Sequence, residues 1–257
     1  MREQVKKRSG WRAWLLGMGA AAGVIFLAVA VYKVSAFAMT EPQFTLSRER
    51  RGALQIYGLQ NTSEARVRRV FDVDFGRSVF TVPLAERRRR LMAIDWVADA
   101  SVSRIWPNRL VVHIVERKPV AFVNLRLATG TSRVLLIDAE GVLLAPPTQS
   151  RFGFPVLSGV TEEDSDVVRG IRVRAMLRLL DDLGAAARDI SEVNAADLEN
   201  LRATTRLDGH AVELQMGGGN YGKRYQAFLA NYPEMRKRSG GVKIFDLRLD
   251  DRITARE

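Results

Sequence analysis

The chain of 257 residues carries no cysteine and two histidines, is 47% hydrophobic and has a formal net charge of +11. Without cysteine there is no thiolate nucleophile, zinc knuckle or disulfide staple, so a fold outside the cytosol must rest on its core alone, and His113 and His210 cannot by themselves make a usual metal site. Residues 1–40 carry six Lys/Arg and one acid, 41–118 fifteen and nine, 119–257 nineteen and nineteen, which argues against a nucleic-acid binder, where cations concentrate on the binding module.

The first predicted element is "AWLLGMGAAAGVIFLAVAVY", Ala13 to Tyr32, with no charge between Arg12 and Lys33. As a helix it is about 30 Å long, the thickness of a bilayer's hydrocarbon core. Trp11, Trp14 and Tyr32 sit at its ends, and Arg2, Lys6, Lys7, Arg8 and Arg12 precede it. The positive-inside rule then keeps the N-terminus in the cytoplasm and exports the chain beyond Tyr32. The expectation is a cytoplasmic basic tail over 1–12 and a transmembrane helix with its exit over 13–38. A cleaved signal peptide is the competing reading, since Ala36 to Ala38 resembles a small-residue cleavage site, but the apolar run is long and Lys33 interrupts the approach. Gly19 and Gly23 form a small-xxx-small pair, read most simply as lipid-facing.

Over 41–118 the pattern is mixed. "LQIY", Leu54 to Tyr57, predicts a short strand ending at Gly58. Asn61 is placed as an N-cap with Glu64 three residues on, and Val67, Val70 and Phe71 follow at helical spacing. A second helix is predicted from Pro83 through Leu84, Leu91 and Met92. Two alternating runs, Val97 to Trp106 and Arg109 to Glu116, flank Pro107-Asn108 as a hairpin. "RRRR", Arg87 to Arg90, cannot form one stripe on a helix, because successive residues step by about 100°. It is read as a solvated face, some members snorkelling beside the core. His113, among valines and an isoleucine, is read as a core histidine.

Over 119–257 strands with turn punctuation dominate: "AFVNL", then "RVLLIDAEGVLLAPP" with a hairpin at Ala139-Glu140-Gly141, then "FPVLSGV". A long helix comes next, with Val168, Ile171, Ala175, Leu179 and Leu183 as its stripe and Arg172 inside it, extending to water. "AVELQM" alternates as a half-exposed strand, and "GGGNYGK" has the glycine and lysine spacing of a phosphate-binding loop. That loop needs a Ser or Thr after the lysine and a buried parallel strand before it. Lys223 is followed by Arg224, so the glycines are read as turning a strand into a helix carrying Tyr221, Tyr225, Phe228, Leu229 and Tyr232 and stopping near Pro233. In "VKIFDLRLDDRITAR" Phe245, Leu247 and Leu249 alternate with Ile244, Asp246 and Arg248 as a strand with one buried face.

The order strand, helix, helix, strand, strand outside a single span resembles a POTRA domain, and the whole chain is similar to the FtsQ/DivIB family of bacterial cell-division proteins. The residues that carry this are Ile56 and Gly58, the segment from Asp95 to Ala121 with Glu116-Arg117-Lys118-Pro119, "LIDAEGVLL", "FPVLSG" and "DLRLDDRITAR". Leu249, Asp251 and Arg252 depart from the enterobacterial pattern. The fold class expected is α+β: one N-terminal transmembrane helix, a POTRA-like β-α-α-β-β domain, then a mixed, mainly antiparallel β domain with two helices. The resemblance implies a non-enzymatic divisome scaffold, without cofactor, metal, small-molecule substrate or nucleic acid. Such a scaffold holds FtsB and FtsL proteins, links early and late division proteins at the septum, and so regulates septal peptidoglycan synthesis. It also implies a partner platform at an edge strand over Ile244, Phe245, Asp246, Leu247, Arg248, Leu249 and Asp250, with Arg248 and Asp250 as polar specificity groups. The alternative is a POTRA-bearing chaperone for envelope assembly or secretion, which would need a C-terminal barrel. Only 139 residues lie beyond Lys118, and two helices occupy part of them.

Overall fold

The computed structural model describes residues 10–126, 130–147, 151–238, 241–249 and 252–256. The chain divides into two compact units, Met1–Val115 and Glu116–Glu257.

The first unit opens with α1 (Gly10–Thr40), about 46 Å long at 1.5 Å per residue. Within it Trp14–Phe37 is long and apolar enough to cross a membrane, with a mean hydropathy of 2.2 and none of that window buried. A single 3-10 turn (Pro42–Phe44) comes next, and Asn108 grips it by donating from Nδ2 to the Gln43 carbonyl at 2.9 Å. The chain then enters a three-stranded sheet of order β1-β3-β2, comprising β1 (Leu54–Tyr57), β2 (Val97–Ile105) and β3 (Arg109–Glu116). β1 runs parallel to β3, Leu54 opposite Leu110 and Tyr57 opposite His113. A parallel pair needs a crossover, supplied by α2 (Glu64–Arg69) and α3 (Leu84–Met92). Val67, Phe71 and Leu91 pack with Leu54, Leu110, Val112 and Ile114 in the core.

Three expectations change here. α2 starts at Glu64 after Ser63, so Asn61 is not its N-cap; Glu64 instead accepts a 2.7 Å bond from Arg68 one turn on. His113 is exposed and stacks on Tyr57 at 5.2 Å. With Leu110, Val112 and Ile114 on the core face, the period-two strand sends residue 113 to the other side. In the arginine run, Arg87 is buried and clamps Asp74 through Nε at 2.6 Å and Nη2 at 2.9 Å. The expected solvated face holds for Arg90, which pairs with Glu86, while Arg88 reaches the Ala100 carbonyl and Asp99.

The second unit is one nine-stranded sheet with two long helices. Its strands are β4 (Pro119–Arg126), β5 (Ser132–Asp138), β6 (Leu143–Leu144), β7 (Val156–Ser158), β8 (Ile190–Asn194), β9 (Leu201–Leu207), β10 (His210–Gly217), β11 (Ile244–Asp246) and β12 (Thr254–Arg256). Their order is β12-β11-β10-β9-β8-β7-β4-β5-β6. The crossover helices α4 (Asp166–Leu183) and α5 (Tyr221–Arg238) bury Val173, Met176, Leu179, Tyr225 and Phe228 against Val123, Val193, Ala203 and Leu214.

The stripe of α4 differs from the expected one. Ala175, Leu179 and Leu183 are buried as expected, together with Arg169, Gly170, Val173 and Met176, while Val168 and Ile171 are 38% and 40% exposed. Arg172 is held by Asp164 at 2.9 Å rather than by water. Glycine decides the rotation of this helix: a Cβ on Gly170 would stand 2.7 Å from the Glu140 carbonyl oxygen, so the β5–β6 turn lies directly on α4. α5 continues through Pro233 to Arg238 instead of stopping there. Proline removes one bond to the preceding turn, but Tyr232 and Met235, on either side, both pack on the core, and tertiary burial carries the helix across.

Candidate partner interface

The phosphate-loop glycines have other work. The Gly222 N–H donates to Asp182 Oδ2 at 2.9 Å, and a Cβ at residue 222 would lie 2.5 Å from the Asp182 carbonyl oxygen, so the glycine lets α5 begin against the end of α4. Arg224 folds back to the Met216 carbonyl at 2.7 Å. Among the described residues no group of three His, Cys, Asp or Glu side chains could hold a metal ion.

The expected platform sits on the far side of that turn, and its geometry corrects the reading. β11 runs parallel to β10, Leu214 opposite Phe245, and the ladder extends to the Leu247 N–H, which donates to Gln215 at 2.9 Å. On its other side β11 pairs antiparallel with β12, Ile244 opposite Arg256 and Asp246 opposite Thr254. Ile244 to Asp246 are therefore not an edge: both rows of main-chain groups face a neighbour. The terminal strand of the sheet is β12. A strand at that place presents a row of N–H and C=O groups able to pair with another chain. Sequence reasoning placed the strand one hairpin too early, because "IFDLRL" alternates so regularly that it reads as continuing to Asp250, whereas "ITAR" is too short to register alone. The β-branched Ile253 and Thr254 were its only signal.

The side chains divide by depth. Phe245 is buried against Phe228 at 5.1 Å and Tyr232 at 6.0 Å between ring centres, and Leu247 is buried with them. Leu249 is 48% exposed, against the expectation of a core residue, because the strand has ended before it. Arg248 grips the buried Asp246 in a fork, Nε to Oδ1 at 2.8 Å and Nη2 to Oδ2 at 2.6 Å, and the Arg248 N–H donates to the same Oδ1. The hydrogen bonds to that carboxylate, then its charge, raise the Arg248 pKa above the ordinary guanidinium value. Asp250 lies outside the described residues. Beside β12, Lys223, Arg224, Ala227, Leu247, Leu249 and Ile253 line a small groove, four apolar side chains with two basic ones. Lys223 and Arg224 in this role were not anticipated.

A long apolar helix, a POTRA unit and a mixed sheet ending in a short terminal strand define a membrane-anchored POTRA protein. Residues 52–117 match the POTRA domain of FtsQ type, and residues 126–248 match the C-terminal domain of cell division protein FtsQ/DivIB. The chain is 31% identical over 245 residues to cell division protein FtsQ of Koribacter versatilis, covering 93% of this chain and 67% of that relative. It is 26% identical over 208 residues to the FtsQ of Syntrophotalea carbinolica (78% and 71%) and 31% over 204 to that of Novosphingobium aromaticivorans (79% and 60%). The chain belongs to the FtsQ/DivIB family of cell division proteins and spans about two thirds of the length of these relatives.

Proposed function

We propose that this protein is a non-enzymatic divisome scaffold whose basic tail, 1–12, stays in the cytoplasm while α1 spans the inner membrane. The modules over 41–118 and 119–257 then lie in the periplasm and concentrate at the septum. The observation that carries the binding role is the position of β12 at the end of the sheet, beside a groove lined by apolar and basic side chains. A partner strand of the FtsB or FtsL kind would add to β12 through main-chain hydrogen bonds, as in other strand-addition complexes. Leu249 and Ile253 offer apolar contacts, and Lys223 and Arg248 are suited to acidic groups. By holding such partners the scaffold links early to late division proteins and influences septal peptidoglycan synthesis.

The test is capture of the cognate FtsB-type protein by the full chain in detergent, with proline placed at Thr254 or at Ala255. Alternate strand amides face opposite neighbours, so one of the two prolines removes an N–H aimed away from β11. That one should abolish capture while the fold persists. Undiminished capture by both variants rejects strand addition at β12. A fluorescent fusion that stays uniform around the envelope through the division cycle rejects the septal role.

A further inference from the structure

Where α1 meets the rest of the first unit, four aromatic rings gather. Phe37, in the last turn but one of α1, lies 6.1 Å from Phe44; Phe44 lies 5.3 Å from both Phe80 and Trp106, and Phe80 lies 5.4 Å from Trp106. Phe44 is buried at the centre, yet Phe37 is 51% and Trp106 66% exposed, with Ile105 beside it at 42%. The cluster is held rigidly from behind. Arg104 donates to the carbonyls of Val79, Phe80 and Val82, fixing the turn that carries Phe80. Asn108, 5% exposed, joins the hairpin tip to the Pro42–Phe44 turn and accepts from Arg50 at 2.7 Å.

The level of this cluster relative to a bilayer is set by α1. Its charge-free stretch ends at Lys33, and Phe37 stands four residues later, about 6 Å along the axis. The headgroup layer beyond a 30 Å hydrocarbon core is roughly 5–7 Å thick on each side. Phe37 therefore stands at the depth where tryptophan is enriched in membrane proteins, its apolar body toward the acyl chains and its N–H toward water, and Trp106 is joined to Phe37 through the ring of Phe44.

We propose that Phe37, Trp106 and Ile105 form a foot seated in the headgroup layer of the membrane that α1 crosses, so that the tip of the β2–β3 hairpin rests on lipid and sets the tilt of the first unit. The occupant is the lipid surface itself, reached because the helix exit and the hairpin tip are one packed cluster. The inference rests on α1 spanning the bilayer, not on any division partner.

The chain's lack of cysteine permits a direct test. The full chain, carrying a spin label on Ile105→Cys, Ser101→Cys or Val24→Cys, is reconstituted in vesicles of phosphatidylethanolamine and phosphatidylglycerol, and separately of phosphatidylcholine. Access of oxygen relative to an aqueous nickel chelate gives depth. Residue 101 is roughly 13 Å back along β2 from residue 105. The ratio at 105 should exceed that at 101 several-fold in both lipids, and Trp106→Ala should bring it down toward the value at 101. A label at 105 as water-accessible as that at 101, or protected only with the anionic lipid, overturns the aromatic foot. A label at 24 that reads aqueous overturns the span, and the foot with it.

Discussion

Arg117 donates from Nη1 to Asp138 Oδ2 at 2.8 Å, so two short motifs 21 residues apart, "ERKP" and "LIDAEG", meet at one buried carboxylate. The other oxygen, Oδ1, accepts the N–H groups of Glu140 at 3.1 Å and Val142 at 2.8 Å, tying off the β5–β6 turn. Asp138 is 1% exposed. Replacing it by Ala strands one guanidinium and two amides, and should cost about 3 kcal/mol of unfolding free energy in urea titration. Asp138→Asn keeps the turn acceptor but not the charge and should cost less.

The same turn places Gly141 at φ +92°, where a Cβ would stand 2.2 Å from the Asp166 carbonyl oxygen and 2.4 Å from the Gly170 nitrogen. Neither contact can yield without moving backbone. Gly141→Ala should lose roughly 2 kcal/mol or more and lower the thermal midpoint, whereas Gly209→Ala, with nothing within 4 Å, should show only the cost of its positive φ.

In the first unit the Asp74–Arg87 pair is almost dry, its side chains 0% and 4% exposed. The hydrogen bonds Arg87 donates to Asp74, opposed by burial and helped by the carboxylate's charge, push the Arg87 pKa above the ordinary guanidinium value. Asp74→Ala leaves a buried guanidinium with only the longer 3.2 Å contact to Glu86 and should destabilise the unit by about 3 kcal/mol, while a well-packed Asp74→Leu/Arg87→Met pair should recover most of that loss. Differential scanning calorimetry of the wild type, Asp74→Leu, Arg87→Met and the double variant forms the cycle.

Asp164 titrates below its ordinary 3.8: burial pushes it up, but the Thr161 N–H and the Arg172 guanidinium outweigh that. A depressed carboxylate contributes stability that is fully present above the unfolded pKa and lost as pH falls through the folded one. Stability should therefore decline below about pH 4, and Asp164→Asn should be less stable at neutral pH and show a flatter acid limb in denaturant titrations.

At the proposed docking face, Arg248→Glu places a second acid beside Asp246 and should both weaken partner capture and loosen β11. Arg248→Ala only removes the fork. If capture survives the alanine change but not the glutamate, the introduced acid acts by charge repulsion and Arg248 is not a required contact; isothermal titration with the purified partner separates the cases.

Legibility in the sequence tracked the physics of each element. β1 and β3 were plain because period-two alternation was bounded by Gly58 and by Pro107-Asn108. The buried Arg87 was hidden because its partner is Asp74, 13 residues away on a turn no periodicity predicts. The α4 stripe slipped because Arg169 and Gly170, a charge and a residue without a side chain, hold core positions that hydrophobicity alone gives to Val168 and Ile171. Local alternation around β11 showed a strand but not its neighbours, since pairing on both flanks depends on where the chain returns as β12.

Between the last turn of α1 and the loop at Gly76–Arg77 there is no slack: Glu41 still bonds back to Phe37, the next three residues form a turn, and Leu46 is already tied to Arg77 and Gly76. A linker of that kind transmits torque. Any neighbouring rod that packs on α1 within the bilayer would thereby choose the compass bearing of the whole first unit, so an event among apolar surfaces becomes a heading outside the membrane.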